Sequence, residues 1–413
     1  MRHGQQVAEG EAMATKIEGA RVVTGDWVEH TDVLVEGDLI AEIGDTGPAD
    51  TVVDGRGKLL APAMIDIHGD AFERQVMPRP GVYFPVEAAV LETDRQLAAN
   101  GIATAYHALT LGWEPGLRSI ERGSAFVDAL ATLGPRLTVE NRVQLRWETF
   151  AFEALDLIER ALEAPATPSI AFNDHTSMSM RDKRISVQDR LFEHNPDFVT
   201  VDVSAPDFAA DQGKYAIRAG LSLEAYADLL RDVWARRPEV PRRIADVAAL
   251  GRAQGAPMLS HDDTQDETRK FYRDLGVTIA EFPMRVAVAQ SARAAGDAIV
   301  FGAPNVMRGG SHIGSPGAAD MVEAGLCDIL ASDYFYPSML AAVAKLVEER
   351  RATVSRAWSL VSTGPAFALG LTDRGEIAVG KRADLVLIDW PEGAFPAVKM
   401  TMSAGRIAYR AEA

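Results

Sequence analysis

The chain contains 413 residues, of which 47% are hydrophobic and 24% are charged, and it carries a formal net charge of −17. This composition is typical of a soluble globular protein, and the length allows one large domain with a small companion. A strongly negative chain is poorly suited to bind nucleic acid or an anionic membrane surface, because both attract positive charge. The sequence contains no run of about 18 apolar residues, so it predicts no membrane-spanning segment.

The single cysteine, Cys327, cannot form an internal disulfide. That is typical of a reducing compartment, so we expect a cytoplasmic location. Residues 1–14 lack the apolar core of a signal peptide and are expected to be disordered. We also expect a homo-oligomer that acts on a small molecule and has neither a nucleic-acid nor a membrane partner.

Short β-like segments separated by glycine and aspartate occupy both ends of the chain. Near the N-terminus they lie at 20–24, 32–35, 39–43 and 51–54, and near the C-terminus at 383–389, 398–403 and 406–410. Turn residues such as Gly37 and Asp38 separate them. Because chain ends often lie close together, the pattern predicts a small β-sandwich domain built from 15–60 and 375–413.

Strand-like and helix-like segments alternate between residues 61 and 374. The eight candidate strands are 64–68, 102–107, 142–148, 169–174, 258–262, 277–282, 298–302 and 328–332. Eight such units over about 300 residues predict an α/β fold, a (β/α)8 barrel of the TIM type that carries the catalytic site. A doubly wound sheet is the alternative, but no glycine-rich dinucleotide or phosphate-binding motif follows an early strand. Segment 180–221 fits neither pattern and is either a long loop over the active site or holds a ninth strand at 198–203.

Histidines and acidic residues follow several of these strands. The histidines are His68, His107, His175 and His261, with His312 in a glycine-rich loop. The acidic residues are Asp70, Glu148, Asp174, Asp262, Asp263 and Asp333. Because the carboxyl ends of barrel strands share one face, these side chains are expected to converge. Imidazoles and carboxylates together predict a hydrolytic site for one or two divalent metal ions.

Several longer motifs carry a specific resemblance. They are IDIHGDAFER with MPRPGV, GIATAYHAL, LRWE, FNDHT, SHDDT, AEFPM, GAPNVMRGGSHIG and SDYFYPSML, followed by RGEIAVGKRADLVLID. On these motifs the chain resembles the amidohydrolase superfamily. Within it, the chain is similar to the family of diphosphatases that act on α-D-ribose 1-methylphosphonate 5-triphosphate in the carbon–phosphorus lyase pathway. The resemblance implies a metal-dependent barrel enzyme and a phosphorylated small molecule as its substrate.

The resemblance also implies a set of metal ligands, which are His68, Asp70, Glu148, His175, His261 and Asp333. Glu148 would take the bridging position that a carboxylated lysine fills in other relatives. Imidazoles with carboxylates suit zinc best, with manganese or iron as alternatives. Asp333 would orient a metal-activated water, accept its proton and deliver that proton to the leaving group. His175 and His261 end the fourth and fifth predicted strands, one earlier than the family pattern, so either a strand is missed or the pattern is locally altered.

Other candidates each have two interpretations. His312 is either a substrate contact or proton donor or an ordinary loop residue, and His107 is either functional or a core histidine. Asp262 and Asp263 either orient ligating histidines or belong to a turn. A triphosphate needs a cationic pocket, although each cation could instead be a solvated surface charge. The candidate phosphate contacts are Arg79, Arg181, Lys183, Arg184 and Arg308.

Three functional hypotheses follow. The first is hydrolysis of a phosphoric anhydride, in which a metal-activated water attacks phosphorus and pyrophosphate leaves; several cations near the metals would favour it. The second keeps barrel and metals but attacks a carbonyl, as in an N-acyl deacylase or a cyclic amidase. The third is a non-catalytic barrel, which a failure to bind metal would favour. The family continues its DHT motif with Pro-Gly-Gln, whereas this chain has Ser177, Met178 and Ser179, which puts the exact substrate in question.

Overall fold

The computed structural model describes residues 13–205, 208–311 and 314–411. Within them the chain forms two eight-stranded sheets, one from both ends of the chain and one from its middle. In chain order the strands are β1 (Ala14–Thr24), β2 (Trp27–Glu36), β3 (Leu39–Gly44), β4 (Thr51–Asp54), β5 (Leu59–Pro62), β6 (Met64–Gly69), β7 (Ile102–Leu111), β8 (Glu140–Glu148), β9 (Ser169–Asn173), β10 (Met258–His261), β11 (Ile279–Glu281), β12 (Ala298–Gly302), β13 (Ile329–Ala331), β14 (Leu385–Asp389), β15 (Ala397–Ser403) and β16 (Arg406–Arg410).

Helices fill most of the connections between the strands of the middle sheet. In chain order they are α1 (Glu73–Val76), α2 (Val86–Ala99), α3 (Ile120–Leu133), α4 (Leu155–Leu162), α5 (His175–Met180), α6 (Phe208–Asp211), α7 (Gly213–Ala219), α8 (Leu223–Trp234), α9 (Val240–Ala253), α10 (Asp266–Asp274), α11 (Val286–Ala295), α12 (Ala303–Arg308), α13 (Ala318–Glu323), α14 (Ser338–Glu348), α15 (Val354–Ser359) and α16 (Thr363–Ala368). In the described part of the chain, no helix is long and apolar enough to cross a membrane.

The middle sheet is a nearly closed barrel. Strands β6 to β13 pair in chain order and run parallel throughout. The first and last strands meet where Gly69 forms a bridge with Asp333, and the N–H of Asp333 donates to the carbonyl of His68 at 2.9 Å. The predicted (β/α)8 barrel is therefore confirmed, and residues 198–203 form no additional strand.

Most residues of the barrel strands are buried. Every residue of β6, β7 and β9 is buried. This explains the nearly continuous apolar runs in the sequence, because helices cover one face of a parallel strand and the barrel interior covers the other. Polar side chains in these strands need partners, and most of them lie near the carboxyl ends, where the site forms.

The second sheet joins the two ends of the chain. Its order is β16-β15-β14-β5-β1-β2-β3, with β4 added alongside β1. The join is the antiparallel pairing of β5 with β14, in which Leu60 opposes Leu387. Apolar side chains from both ends form one buried cluster that includes Ile17, Val33 and Met400. The predicted composite β-domain is thus present, in the form of a mixed sheet.

Segment 180–221 folds against the barrel instead of crossing it as a strand. Apolar residues of this segment pack with helix α8, and the cluster contains Met180, Phe208, Ala216, Tyr226 and Leu230. The segment therefore forms one wall of the space above the carboxyl ends of the barrel strands.

Candidate metal and active site

Three predicted ligands meet where the first and last barrel strands join. His68, Asp70 and Asp333 each offer one ligand atom, and these atoms lie within 4.8 Å of one another. The backbone sets this geometry, because Asp70 donates its N–H to the carbonyl of Asp333 at 2.9 Å. Asp333 has a positive φ of 54°, a conformation that non-glycine residues seldom adopt. Strain of this kind is often found at functional sites.

A second group of donors lies beside the first. His175, His261 and Asp262 also offer ligand atoms within 4.8 Å of one another. His261 Nε2 lies 3.5 Å from Asp262 Oδ2. Asp262, predicted either to orient a histidine or to belong to a turn, therefore lies among the donors, with a positive φ of 59°. Imidazole nitrogen with carboxylate oxygen is a donor set that fits zinc, manganese or iron.

Two buried glutamates fix the orientation of the three imidazoles. Glu281 accepts from His68 Nδ1 at 2.9 Å and from His261 Nδ1 at 2.8 Å, while Glu148 accepts from His175 Nδ1 at 2.5 Å. An ionised carboxylate can only accept, so each histidine carries its proton on Nδ1 and leaves Nε2 as a ligand. Carboxylates in this position orient metal-binding histidines in many proteins. The residues present therefore fit a divalent metal ion.

Glu148 and Glu281 both contact histidines of the site. Glu148, for which the resemblance implies a bridging position, also accepts from the backbone N–H of His175 at 3.1 Å through its second oxygen, and its role as a metal ligand stays a prediction. Glu281 was not singled out, although it ends a predicted strand in the motif AEFPM. Its position as a carboxylate at a strand end could have identified Glu281 from the sequence, but the prediction did not use it.

Burial and charge shift the pKa values of these groups. Burial raises the pKa of Asp333 to about 6, against the opposing attraction of His68. Burial alone would also raise the pKa of Glu148, but His175 and Arg146 hold it at about 2. The pKa of Glu281 is likewise below its ordinary value because His68 and His261 outweigh its burial. The two orienting glutamates are thus held ionised.

A buried arginine lies inside the donor set. Arg146 donates from Nε to Asn173 Oδ1 at 3.0 Å and from Nη2 to His261 Nε2 at 3.1 Å. Its Nη1 lies 3.6 Å from Asp70 Oδ2. Arg146 was not predicted, but it precedes Glu148 by two residues in β8 and so shares a side of the strand with it.

A cavity of about 230 Å³ opens in front of these groups. Three arginines line it, namely Arg118, Arg146 and Arg308. Every member of the two donor groups except His68 lines it as well. Arg118 pairs with Glu73 at 2.8 Å and lies 3.8 Å from Asp70. We call this space the cationic cavity.

A second cavity of about 260 Å³ shares Arg118 and His175 with the first. Trp113, Tyr215 and Tyr226 line it beside charged residues such as Glu114 and Arg218, and we call it the aromatic cavity. Met178 and Leu230 also contribute to its lining. The rings of Tyr215 and Tyr226 are stacked with centroids 6.3 Å apart. Trp113 is held by a hydrogen bond from Nε1 to Thr176 Oγ1 at 2.9 Å.

One of the predicted phosphate contacts, Arg308, lines the cationic cavity. Arg79, Lys183 and Arg184 are exposed and line neither cavity, and Arg184 is paired with Asp182.

Three further residues that the sequence analysis named, Arg181, Asp263 and His107, contact other groups of the protein. Arg181 donates to backbone carbonyls of its own segment. Asp263 is buried, and its Oδ2 accepts from Ser260 Oγ and Arg269 Nη1. His107 is buried, with its Nε2 2.8 Å from Asn141, which fits the core interpretation. His312 lies outside the described residues.

The comparisons with known proteins agree with this geometry. The amidohydrolase family profile matches residues 113–409. The α-D-ribose 1-methylphosphonate 5-triphosphate diphosphatase of Escherichia coli (strain K12) is 32% identical over 340 residues, covering 81% of this chain and 84% of that protein. An adenine deaminase from Methylobacterium sp. (strain 4-46) is 26% identical over 418 residues, covering 98% of this chain and 61% of that protein.

Solved structures show the same fold. An adenosine deaminase from Xanthomonas campestris with bound zinc has a TM-score of 0.63 at 14% identity, covering 96% of this chain and 93% of that one. Phenylurea hydrolase B has a TM-score of 0.61 at 15% identity, covering 95% of this chain and 96% of that one. With the family match and the E. coli relative, these findings show that the chain belongs to the amidohydrolase family of metal-dependent hydrolases.

Proposed function

We propose that this enzyme is a diphosphatase that releases pyrophosphate from α-D-ribose 1-methylphosphonate 5-triphosphate. The observation that carries the proposal is the convergence of Arg118, Arg146 and Arg308 on one cavity with the candidate metal ligands. Guanidinium groups bind phosphoryl oxygens through paired hydrogen bonds. An uncharged amide substrate has no need of three such groups. The E. coli relative with this activity supports the assignment.

The reaction is a hydrolysis at phosphorus. The oxygen of water forms a bond to the α-phosphorus, the bond from that phosphorus to the bridging oxygen breaks, and pyrophosphate leaves with the electron pair. A divalent ion held by the donor groups supplies a Lewis acid for the phosphoryl oxygens and lowers the pKa of water. His68, Asp70 and Asp333 would hold that ion, and His175 and His261, which were also predicted as ligands, form the neighbouring group with Asp262.

Asp333 is the proposed proton carrier. Its carboxylate accepts a proton from the attacking water and returns it to the departing oxygen. A base works best when its pKa lies near the working pH, and burial brings Asp333 to about 6. The arginines of the cationic cavity balance the negative charge that develops on the transferred group.

The two cavities suggest how the substrate lies. We place the departing pyrophosphate in the cationic cavity and the ribosyl end in the aromatic cavity, where a sugar ring can pack on Trp113. Arg118 and His175 line both spaces, so the reacting phosphorus would lie between them. Met178, at the position where the chain departs from the family motif, lines the ribosyl side.

We also propose zinc as the metal, with manganese or iron as alternatives, because the donors are imidazoles and carboxylates. The solved adenosine deaminase relative contains bound zinc. A cytoplasmic location is proposed from the single cysteine, which is buried and free. A homo-oligomeric state remains part of the proposal.

The decisive assay is pyrophosphate release from ribose 5-triphosphate analogues and nucleoside triphosphates by metal-loaded protein. Asp333→Asn should lower kcat by about 100-fold or more, the usual size of a general acid–base effect. Arg308→Met should raise KM about 10-fold, since a charged hydrogen bond contributes about 1.5–3 kcal/mol. Arg184→Met is the matched control and should change neither constant. Full metal occupancy with no release from any triphosphate, and turnover of an N-acyl or cyclic amide, would refute the diphosphatase.

A further inference from the structure

Arg146 is held in the centre of the site by contacts on several sides. It lies near the carboxyl end of β8, and its side chain is 8% exposed. Asn173, fully buried on the neighbouring strand, accepts from Nε and donates its own amide to the carbonyl of Ala171 at 3.1 Å. Turning the guanidinium away would leave the Asn173 carbonyl buried without this partner. The position of Arg146 is therefore fixed by the fold.

The contact between Arg146 and His261 uses the electron pair that a metal would need. A guanidinium can only donate, so His261 Nε2 must be the acceptor in this hydrogen bond. The other ring nitrogen of His261 already gives its proton to Glu281. His261 thus has one lone pair, and Arg146 occupies it. A metal ion in the group of His175, His261 and Asp262 would have to displace the guanidinium.

The other donor group is different. His68 has its Nδ1 bonded to Glu281, and its Nε2 receives no hydrogen bond from Arg146. Asp70 lies 3.6 Å from Arg146 Nη1, which is the distance of an ion pair and leaves the carboxylate oxygens able to bind a cation. The group of His68, Asp70 and Asp333 can therefore accept a divalent ion while Arg146 stays in place.

We propose that Arg146 takes the place of a second metal ion, so that each chain binds one divalent ion, at His68, Asp70 and Asp333. The guanidinium supplies the second positive charge at the cationic cavity, and it holds His261 in its observed orientation. The inference rests on the proposed metal dependence but not on the identity of the substrate. It also explains why this site can carry two groups of donors without two ions.

The test is metal content and requires no turnover. Purified protein is loaded with Zn²⁺ or Mn²⁺, freed of excess metal by gel filtration and measured by elemental analysis. The wild type should contain one ion per chain. Arg146→Met frees the His261 lone pair and should contain two. Arg308→Met, which removes another arginine of the same cavity that has no bond to His261, should still contain one.

Each outcome of the metal analysis either supports or overturns the inference of one ion per chain. Two ions in the wild type, or one ion in a folded Arg146→Met protein, would overturn the inference while leaving the diphosphatase proposal intact. A wild type that binds no ion would instead refute the proposed metal dependence itself. Circular dichroism establishes folding, and Arg146→Gln, with the same expectation of two ions, serves if the methionine variant does not fold. Titration with Co²⁺ gives an independent count, because its visible spectrum should saturate after one equivalent in the wild type and two in the variant.

Discussion

Asp66 joins the two strands that carry the first donor group, and its removal should destabilise the fold. Asp66 is fully buried in β6. Its Oδ1 accepts from the backbone N–H of Ser332 at 3.0 Å and of His68 at 3.3 Å, and its Oδ2 accepts from Ser332 Oγ at 2.5 Å. Ser332 directly follows β13, so this carboxylate links the first and last strands of the barrel just below Asp333.

The expected cost follows from those three bonds. Asp66→Ala leaves two backbone N–H groups buried without an acceptor, at about 1–3 kcal/mol each, and removes the partner of the serine hydroxyl. Burial disfavours the ionised form of Asp66, because it raises the pKa of this carboxyl group. Asp66→Ala removes that unfavourable burial, which offsets part of the cost. We therefore expect a loss of about 3 kcal/mol in the free energy of unfolding, a large share of the usual 5–15 kcal/mol. Metal affinity should fall in parallel, because His68 is misplaced.

Asp66→Asn is the matched control. The amide oxygen can keep both backbone N–H groups, and its NH2 can donate to Ser332 Oγ, so we expect a change of less than about 1 kcal/mol. Because the folded pKa of Asp66 is raised, the wild type should gain stability relative to Asp66→Asn as the pH falls through that pKa. Urea denaturation followed by circular dichroism measures all of these values. If the alanine and asparagine variants lose equal free energy of unfolding, the hydrogen bonds of Asp66 do not stabilise the link between the first and last barrel strands.

Other predictions concern the domain junction, the strand end and the aromatic cavity. Burial would raise the pKa of Glu140, but three arginines hold it at about 2, so its stabilising effect is present above about pH 4.5 and is lost as the pH falls towards 2. Glu140→Gln should thus cost about 2 kcal/mol at pH 7 and less at pH 3, as measured by urea denaturation. Gly69→Ala should lower metal affinity at least about 10-fold by equilibrium titration, because the new Cβ would lie 2.5 Å from Asp66 Oδ2. Gly134→Ala, where a new Cβ would meet nothing within 4 Å, is the control and should bind metal normally. Trp113→Ala should raise KM for ribose and nucleoside triphosphates but not for inorganic tripolyphosphate; an equal rise for all three would place the ribosyl end elsewhere.

The sequence predicted the barrel well because buried parallel strands have a simple pattern. Apolar runs such as those of β6 and β9 are bounded by glycine, proline or a polar strand end, and eight of them leave few alternatives. The donor residues followed from the same pattern, since a histidine or an aspartate after such a strand must lie at the barrel mouth. His68 and Asp70, two residues apart on one strand, are the clearest case.

The cations could not be predicted in the same way. Arg184 and Arg118 both lie in loop regions, and their positions in the chain do not determine which loop turns towards the barrel mouth. Arg118 reaches the site because Glu73 holds it there at 2.8 Å. That contact spans 45 residues and has no local pattern. Arg146 was within reach of the analysis, because residues two apart in a strand share a side and Glu148 had already been identified.

In the proposed binding mode, the ribosyl end and the reacting phosphorus contact different parts of the fold, which bears on the departure of the chain from its family motif. Ser177 is fixed by its neighbour Asp174, which accepts from its N–H and its hydroxyl at 2.7 Å, so helix α5 begins regularly despite the changed residues. Met178 and Ser179 then line the aromatic cavity, while the candidate proton carrier Asp333 lines the cationic cavity. A different side chain at 178 therefore changes what packs beside Trp113 without moving the donor groups. Substitutions at positions 178 and 179 should alter which organic triphosphate is preferred, through KM, and should leave hydrolysis of inorganic tripolyphosphate unchanged.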